Sequence, residues 1–598
     1  MNERHQATNV ALGVLAAVFA ISAAVWAGAQ LAARLFGAGA WLDADLNSAA
    51  HALTRLGQHL GDPRRAWPTR VRDDLPGEAP YWACTLVVFA GVAGTVIPAA
   101  SLLLRPAVGS PRRRRLGVDA QARFATTRDL APLIIPGPCP ARLVLGRVGR
   151  HLVATEARER PPSRSANKAR RGDRSSVLVI GPTRCGKTAN AIAGALDWSG
   201  PAILSSVKAD LMGATLARRR DLGEVRVFDP TRSTDEATAG WSPLRAAATL
   251  TGAQKAARAL ADAGPQRGAD NLDFFLRLAE QLLWPLLWIA AVSECTMRDV
   301  VRWTMVQDRP TATSPGEVAP LVDAHLYSPD EQRQEDAAFV LDAIRAAWVL
   351  DDRTRSNVYA TVQTLIGPWS DPVVAKSAES HDIDLDWLLA GTNTLYLCAP
   401  QHEQARLAPV FGGLVGDLIQ QAFERAGRDN RPLPPTLVIL DEAGNTPTRW
   451  LPGVASTCAG IGLLLVTIWQ SKAQIDAAYG RLADSVLTNH GTKIVFSGVS
   501  DPATLEYAAK LLGDEEILRR STSLDLTGGR RTLSEGLYTT RLVPAHVLRQ
   551  VRPGEALLLH GTLPPAHLHA RPYYRDRRLR ALAAGKPAPA RTTARSQR

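Results

Sequence analysis

The run Gly181-Pro182-Thr183-Arg184-Cys185-Gly186-Lys187-Thr188 has the residue types and spacing of a phosphate-gripping loop. Gly181 and Gly186 permit the turns that aim successive backbone N–H groups at a phosphate, while Pro182, Thr183, Arg184 and Cys185 form the body of the loop. Lys187 supplies a compact cation for β- and γ-phosphates, and the Thr188 hydroxyl suits Mg²⁺. The chemistry implied is binding of ATP with Mg²⁺. A second constellation, Leu437-Val438-Ile439-Leu440-Asp441-Glu442, runs four apolar residues into two carboxylates. Asp441 is expected to share the Mg²⁺ with Thr188 through water, and Glu442 to orient and activate the attacking water. Gln470 follows the apolar run Leu463–Ile468 and is expected to sense the γ-phosphate; an ordinary loop glutamine is the competing reading. The expected catalytic set is therefore Lys187, Asp441, Glu442 and Gln470. For Cys185, electropositive surroundings predict a lowered thiol pKa and a loop that thiol reagents block.

Such residues act only if a buried sheet presents them together. Ser176–Ile180 is a short apolar run ending at a glycine, and Thr188–Trp198 reads as the helix behind it. Strand texture recurs at Ala202–Val207, Val225–Phe228, Thr394–Cys398, Thr436–Leu440, Gly462–Ile468 and Lys493–Ser497. Apolar strands alternating with helices predict an α/β fold with a mostly parallel sheet covered on both faces, its carboxylates emerging at strand carboxyl ends. From 251 to 389 the texture becomes helical, with Phe274–Ala291 reading as a packed core helix. The expected division is a nucleotide-binding domain at 111–250 and 390–570, an inserted all-α domain at 251–389, and a basic, disordered tail at 571–598. Arg158–Arg174 reads as a solvated linker.

Residues 1–110 read as a membrane anchor. Two uncharged stretches, about 10–33 and 81–104, are each long enough to cross the ~30 Å hydrocarbon core as helices, with a short external loop between them. A cleaved signal peptide is the alternative for the first. The Arg112-Arg113-Arg114-Arg115 run is expected on the cytoplasmic side, although Arg55, Arg64, Arg65, Arg70 and Arg72 in the loop oppose it. With 46% hydrophobic and 21% charged residues the chain is not a disordered one. Its net charge of +13 suits nucleic acid, an anionic membrane surface or simple solvation equally. Six scattered cysteines without a CxxC pattern argue against a zinc ribbon.

Further short pieces occur in a fixed order around the two constellations. They are Phe124-Ala125-Thr126, Leu145-Gly146-Arg147, Ser206-Val207-Lys208-Ala209-Asp210, Val227-Phe228-Asp229-Pro230, Trp241-Ser242-Pro243-Leu244, Leu440-Asp441-Glu442-Ala443-Gly444, Gly460-Ile461-Gly462, Trp469-Gln470 and Tyr479-Gly480. Together they make the chain resemble the TraG/TraD-type coupling proteins of type IV secretion. The resemblance implies a RecA-like motor domain with an inserted helical domain, in homo-hexameric rings at the inner membrane. It further implies that DNA passes through the ring, that a relaxase–DNA complex is received, and that type IV secretion channel subunits are partners. One departure stands out: an arginine just before the Gly-Ile-Gly stretch, proposed in the family to reach a neighbour's ATP, is replaced here by Cys458 and Ala459. Arg449 and Arg481 are the substitutes the sequence offers. A motor for protein effectors and an ATP-binding, weakly hydrolysing membrane adaptor are the competing functions.

Overall fold

The computed structural model describes residues 2–103, 114–116, 118–119, 121–156, 175–206, 210–264, 271–524 and 531–586. The linker expected at 158–174 lies outside them, as do Lys208 and residues 587–598. The chain divides into two compact units, Met1–Ala120 and Gln121–Arg598.

In the first unit, helix α1 (Asn2–Phe36) packs along α3 (Glu78–Leu103), with α2 (Leu46–Leu56) between them in sequence. Close approach of α1 to α3 depends on Gly28, where a Cβ would come within 2.7 Å of the Thr85 backbone. The stretch Phe19–Phe36 is long and apolar enough to cross a membrane, while Glu78–Val92 is a shorter apolar run. The segment between them, expected as a short external loop, carries helix α2 and a small core. Leu42, Ala52, Leu56, Trp67, Val71 and Leu75 bury one face against Val25, Ala29 and Tyr81. The Gln30 amide pairs with both backbone groups of Leu42, at 2.8 and 2.7 Å.

The second unit is built on a twelve-stranded sheet. Its strands are β1 (Ile134–Ile135), β2 (Val144–Val148), β3 (His151–Ala154), β4 (Val177–Ile180), β5 (Ala202–Ser206), β6 (Val225–Phe228), β7 (Thr394–Cys398), β8 (Thr436–Leu440), β9 (Leu463–Trp469), β10 (Thr492–Phe496), β11 (Glu555–His560) and β12 (Ala566–His569). The spatial order is β1-β3-β2-β12-β11-β10-β4-β9-β8-β5-β7-β6. Pairing is parallel from β10 through β4 and β9 to β6, and antiparallel from β10 to β1. The central parallel strands β4, β8 and β9 are almost wholly apolar because both faces are covered. Leu178, Ile180, Val438 and Leu465 face one core cluster; Val177, Val179, Leu437, Ile439 and Val466 face the other.

Helices α4 (Lys187–Asp197) and α5 (Asp210–Leu222) follow β4 and β5. Between β6 and β7 every described element is helical, including α6 (Leu250–Asp262), α7 (Leu272–Val292), α8 (Glu331–Trp348) and α9 (Asp352–Ile366). Although α7 has the length and composition of a membrane span, its Leu276, Ala279, Leu282, Leu283, Leu286 and Leu287 are buried in the main core. After β7 comes α10 (Gln404–Arg428), and α11 (Lys472–Tyr479) follows β9. The expectation of a disordered tail from Arg571 needs correction. A final helix α12 (Arg577–Ala583), capped by Asp576, buries Leu579 and Leu582 against the sheet's second core cluster. Arg571 is buried and lies 2.7 Å from Asp197, itself only 2% exposed, and Arg578 pairs with the same carboxylate. A buried carboxylate requires such cations, and they draw the chain onto α4.

Candidate nucleotide site

The phosphate loop begins where β4 ends. The Gly181 N–H donates to the Trp469 carbonyl at 3.0 Å, continuing the ladder with β9 by one step. A Cβ at Gly181 would stand 2.7 Å from both Cys185 Sγ and Phe496 Cβ, so this position has room only for hydrogen. Arg184 (φ +63°) and Gly186 (φ +104°) both take left-handed backbone, which curls the loop over before α4 starts at Lys187. Pro182 and Thr183 complete the curl, and Lys187 Nζ donates to the Pro182 carbonyl at 3.0 Å. The lysine is buried, at 6% exposed, so its charge is held inside the loop rather than in solvent. A strand-to-helix turn with a helix N-terminus and one buried lysine has the chemistry to hold an anion.

The carboxylates arrive from two strands away, beyond β9. The Asp441 N–H donates to the Ser205 carbonyl and the Ala443 N–H to the Ile468 carbonyl, each at 3.0 Å, so the segment after β8 is held by β5 on one side and β9 on the other. Between those anchors Glu442 adopts φ +55°, a left-handed conformation that costs a non-glycine residue about 1–2 kcal/mol. The Thr188 hydroxyl donates to Asp441 Oδ2 at 3.3 Å. Two oxygen donors, one anionic, are thereby brought together at the first turn of α4, a donor set that fits Mg²⁺. Burial drives the Asp441 pKa up to about 6; the neighbouring Glu442 charge pushes the same way, and Lys187 and the Thr188 hydrogen bond oppose it.

Gln470 is joined directly to this group. Its Nε2 donates to Glu442 Oε2 at 2.8 Å, and its own N–H donates to Gln474 Oε1 at 2.9 Å. Sequence reasoning missed Gln474, whose only signal is its place four residues on, in the first turn of α11. It also missed what stands behind Gln470. Trp469 Nε1 donates to Thr467 Oγ1, which lies 3.0 Å from the fully buried His490. Burial lowers the His490 pKa to about 4, so the imidazole is neutral and packs as a polar strut.

Cys185 behaves contrary to expectation. The thiol is buried and its pKa is raised, burial outweighing the stabilising hydrogen bond and charge of Lys187. Its carbonyl accepts the Gly554 N–H at 3.2 Å, which ties the phosphate loop to the turn before β11.

Several of the ordered short pieces are framework instead of chemistry. The Asp229 carboxylate is fully buried and accepts from the hydroxyls of Thr231, Ser233 and Thr234. Trp241 is buried and donates to Asp417 at 3.2 Å. Cys458 is buried near the amino end of β4, its Sγ 3.3 Å from Ser176 Oγ, at the strand end opposite the phosphate loop. Of the two arginines offered as substitutes, Arg449 meets Asp273 at 2.5 Å, whereas Arg481 is exposed.

Comparison with known proteins bears on family and fold. Residues 149–597 match the family described as Type IV secretory system Conjugative DNA transfer. The conjugal transfer protein TraG of Agrobacterium fabrum (strain C58) is 24% identical over 400 residues, covering 66% of this chain and 59% of TraG. Protein VirD4 of Rhizobium radiobacter is 25% identical over 430 residues, covering 69% of this chain and 59% of VirD4. The chain thus spans about three fifths of the length of these relatives. Among solved structures, the bacterial conjugative coupling protein TrwB with sulphate superposes with a TM-score of 0.54 at 16% identity, covering 78% of this chain and 95% of that one. TrwB with the non-hydrolysable ATP analogue ADPNP gives 0.52 at 16% identity, covering 78% and 96%. The second unit therefore has the TrwB-like, RecA-type fold, and the match over 149–597 makes this chain a member of the type IV secretory system conjugative DNA transfer family, the coupling proteins.

Proposed function

We propose that this chain is a membrane-anchored ATPase that couples hydrolysis to the recruitment and translocation of DNA into a type IV secretion channel. The observation that carries the reading is the meeting of Thr188 and Asp441 at 3.3 Å, with Lys187 and Glu442 immediately beside them in sequence. ATP binds with its β- and γ-phosphates in the curl of residues 181–188 and its Mg²⁺ at Thr188 and Asp441. When bound, the cation supplies charge neutralisation at the phosphates. Lys187 swings from the Pro182 carbonyl to the phosphates. Glu442 accepts the proton of the attacking water, and Gln470, bonded to Glu442, registers whether the γ-phosphate is present. The first unit anchors the chain in the membrane through α1 and α3. The family match supports DNA and secretion-channel subunits as partners; relaxase proteins as partners and a homo-hexamer as the working assembly belong to the same proposal.

Paired variants test the assignment. Lys187→Ala is expected to lose ATP affinity by at least ~100-fold, since a buried cation to phosphate is removed. Glu442→Gln is expected to bind ATP as the parent does and turn it over at least ~100-fold more slowly. Equal loss of binding in both, measured with a fluorescent ATP analogue, would contradict these roles. Hydrolysis unaffected by DNA would favour the protein-effector motor, and no hydrolysis by an assembled, DNA-loaded ring the adaptor.

A further inference from the structure

The antiparallel half of the sheet carries a second group of ligand-type side chains. Glu555 opens β11, while His567 and His569 lie on β12, two residues apart and so on one face of the strand. The register sets Glu555 directly opposite His569, which puts its carboxylate on that same face. His567 Nε2 stands 3.1 Å from Glu555 Oε2, and His569 Nδ1 stands 3.8 Å from Oε1. The two imidazole centroids are 4.7 Å apart. One ligand atom from each of the three residues lies within 4.8 Å of the other two.

We propose that Glu555, His567 and His569 form a binding site for a divalent transition metal, with Zn²⁺ the ion it suits best. Two imidazoles and one carboxylate are a zinc donor set that leaves a fourth position for water. Tetrahedral bonds of about 2.0–2.1 Å would set ligand atoms roughly 3.4 Å apart, so small side-chain rotations close the set. Mg²⁺ prefers oxygen ligands in an octahedron, which separates this site chemically from Thr188 and Asp441. The backbone beneath it is already ordered. The Glu555 N–H donates to Arg552 at 2.9 Å, and the Glu555 carbonyl accepts from Ser497 at 3.1 Å. Access is open, because His567 is exposed and, with Glu555, forms part of the wall of a largely apolar cavity of about 550 Å³. The preceding residue, Gly554, donates to the Cys185 carbonyl at 3.2 Å, so the metal would sit one residue from a strut of the phosphate loop.

The site is tested on the full-length chain in detergent, purified without a polyhistidine tag and stripped of metal. Titration calorimetry with ZnCl₂ in excess Mg²⁺ is expected to give about one ion per chain at micromolar affinity or tighter. His567→Gln, His569→Gln and Glu555→Gln are each expected to weaken that binding by at least ~10-fold. His567 is exposed, so its variant keeps the fold, checked by an unchanged thermal melt without metal. Co²⁺ in place of Zn²⁺ is expected to give the intense visible bands of a four-coordinate nitrogen–oxygen site, abolished by His567→Gln. Absence of stoichiometric Zn²⁺ binding, or Zn²⁺ affinity unchanged in both histidine variants, overturns the proposal and leaves the Glu555–His567 pair a hydrogen bond alone. ATP-analogue binding by the same preparation reports separately on the nucleotide site.

Discussion

Asp441 is caught between burial and its task. Its carboxyl must ionise to hold a cation, yet the strand that positions it removes it from water, and its pKa rises to about 6. An acid whose pKa is higher folded than unfolded binds its proton more tightly in the native state. Native stability therefore falls as pH rises from about 4 to about 6, and stays lower above that. A rise of about two pKa units corresponds to roughly 3 kcal/mol. Without nucleotide, Asp441→Asn is thus expected to raise stability by ~2–3 kcal/mol at pH 8 and to change it little below pH ~4, read from denaturant melts at both pH values. The same variant is expected to lose Mg²⁺-dependent hydrolysis. At Cys185 the burial that raises its pKa also excludes reagents. Maleimide labelling followed by mass spectrometry is expected to mark the half-buried Cys139 and Cys295 before Cys185.

Among the elements, α12 and α11 show what local sequence conceals. The arginines of 571–580 read as a solvated tail because only Leu579 and Leu582 mark a buried side, too short a pattern to announce a helix. What holds the segment is Asp197, distant in sequence, buried and shared by Arg571 and Arg578. Asp197→Ala would leave the buried Arg571 only its longer contact with Asp576 at 3.6 Å, and a loss of about 3 kcal/mol is expected in urea melts. On α11, Gln474 positions Gln470, and Gly444 lies against it so closely that a Cβ would fall 2.2 Å from the Gln474 side chain. Gly444→Ala is expected to push Gln474 aside and slow hydrolysis while leaving ATP affinity near the parent value, because no phosphate-loop residue moves. Strands of the parallel half were legible in the sequence, since burial on both faces demands unbroken apolar runs. In the antiparallel half β11 and β12 were not, because they mix histidine, glutamate and apolar residues.

For the whole molecule, the proposed ring would bring one chain's site against its neighbour. If ATP is completed by an arginine from an adjacent chain in a ring, exposed Arg481 is free to reach outward, whereas Arg449 is engaged with Asp273. Arg481→Ala is expected to lower kcat by ~10³-fold with nucleotide affinity kept, and Arg449→Ala to lower stability more than turnover. DNA held through phosphates would show log affinity falling linearly with log salt. DNA-stimulated hydrolysis is therefore expected to weaken sharply between about 50 and 200 mM salt. A salt-independent response would point to a protein cargo.

Sequence alone determined the phosphate loop, the acidic strand end and the alternation of strand and helix, because each is a local demand. Gly186 takes a left-handed turn, Gly181 has room only for hydrogen, and apolar residues must fill a strand covered on both sides. Only the tertiary structure decided that Thr188, after the end of β4, meets Asp441, after the end of β8, beyond the intervening β9, that Gln470 bonds Glu442, and that Cys185 is shielded. Strand order and burial are collective properties of the sheet. Contacts between residues 253 positions apart, as Thr188 and Asp441 are, leave no periodic trace in the chain that makes them.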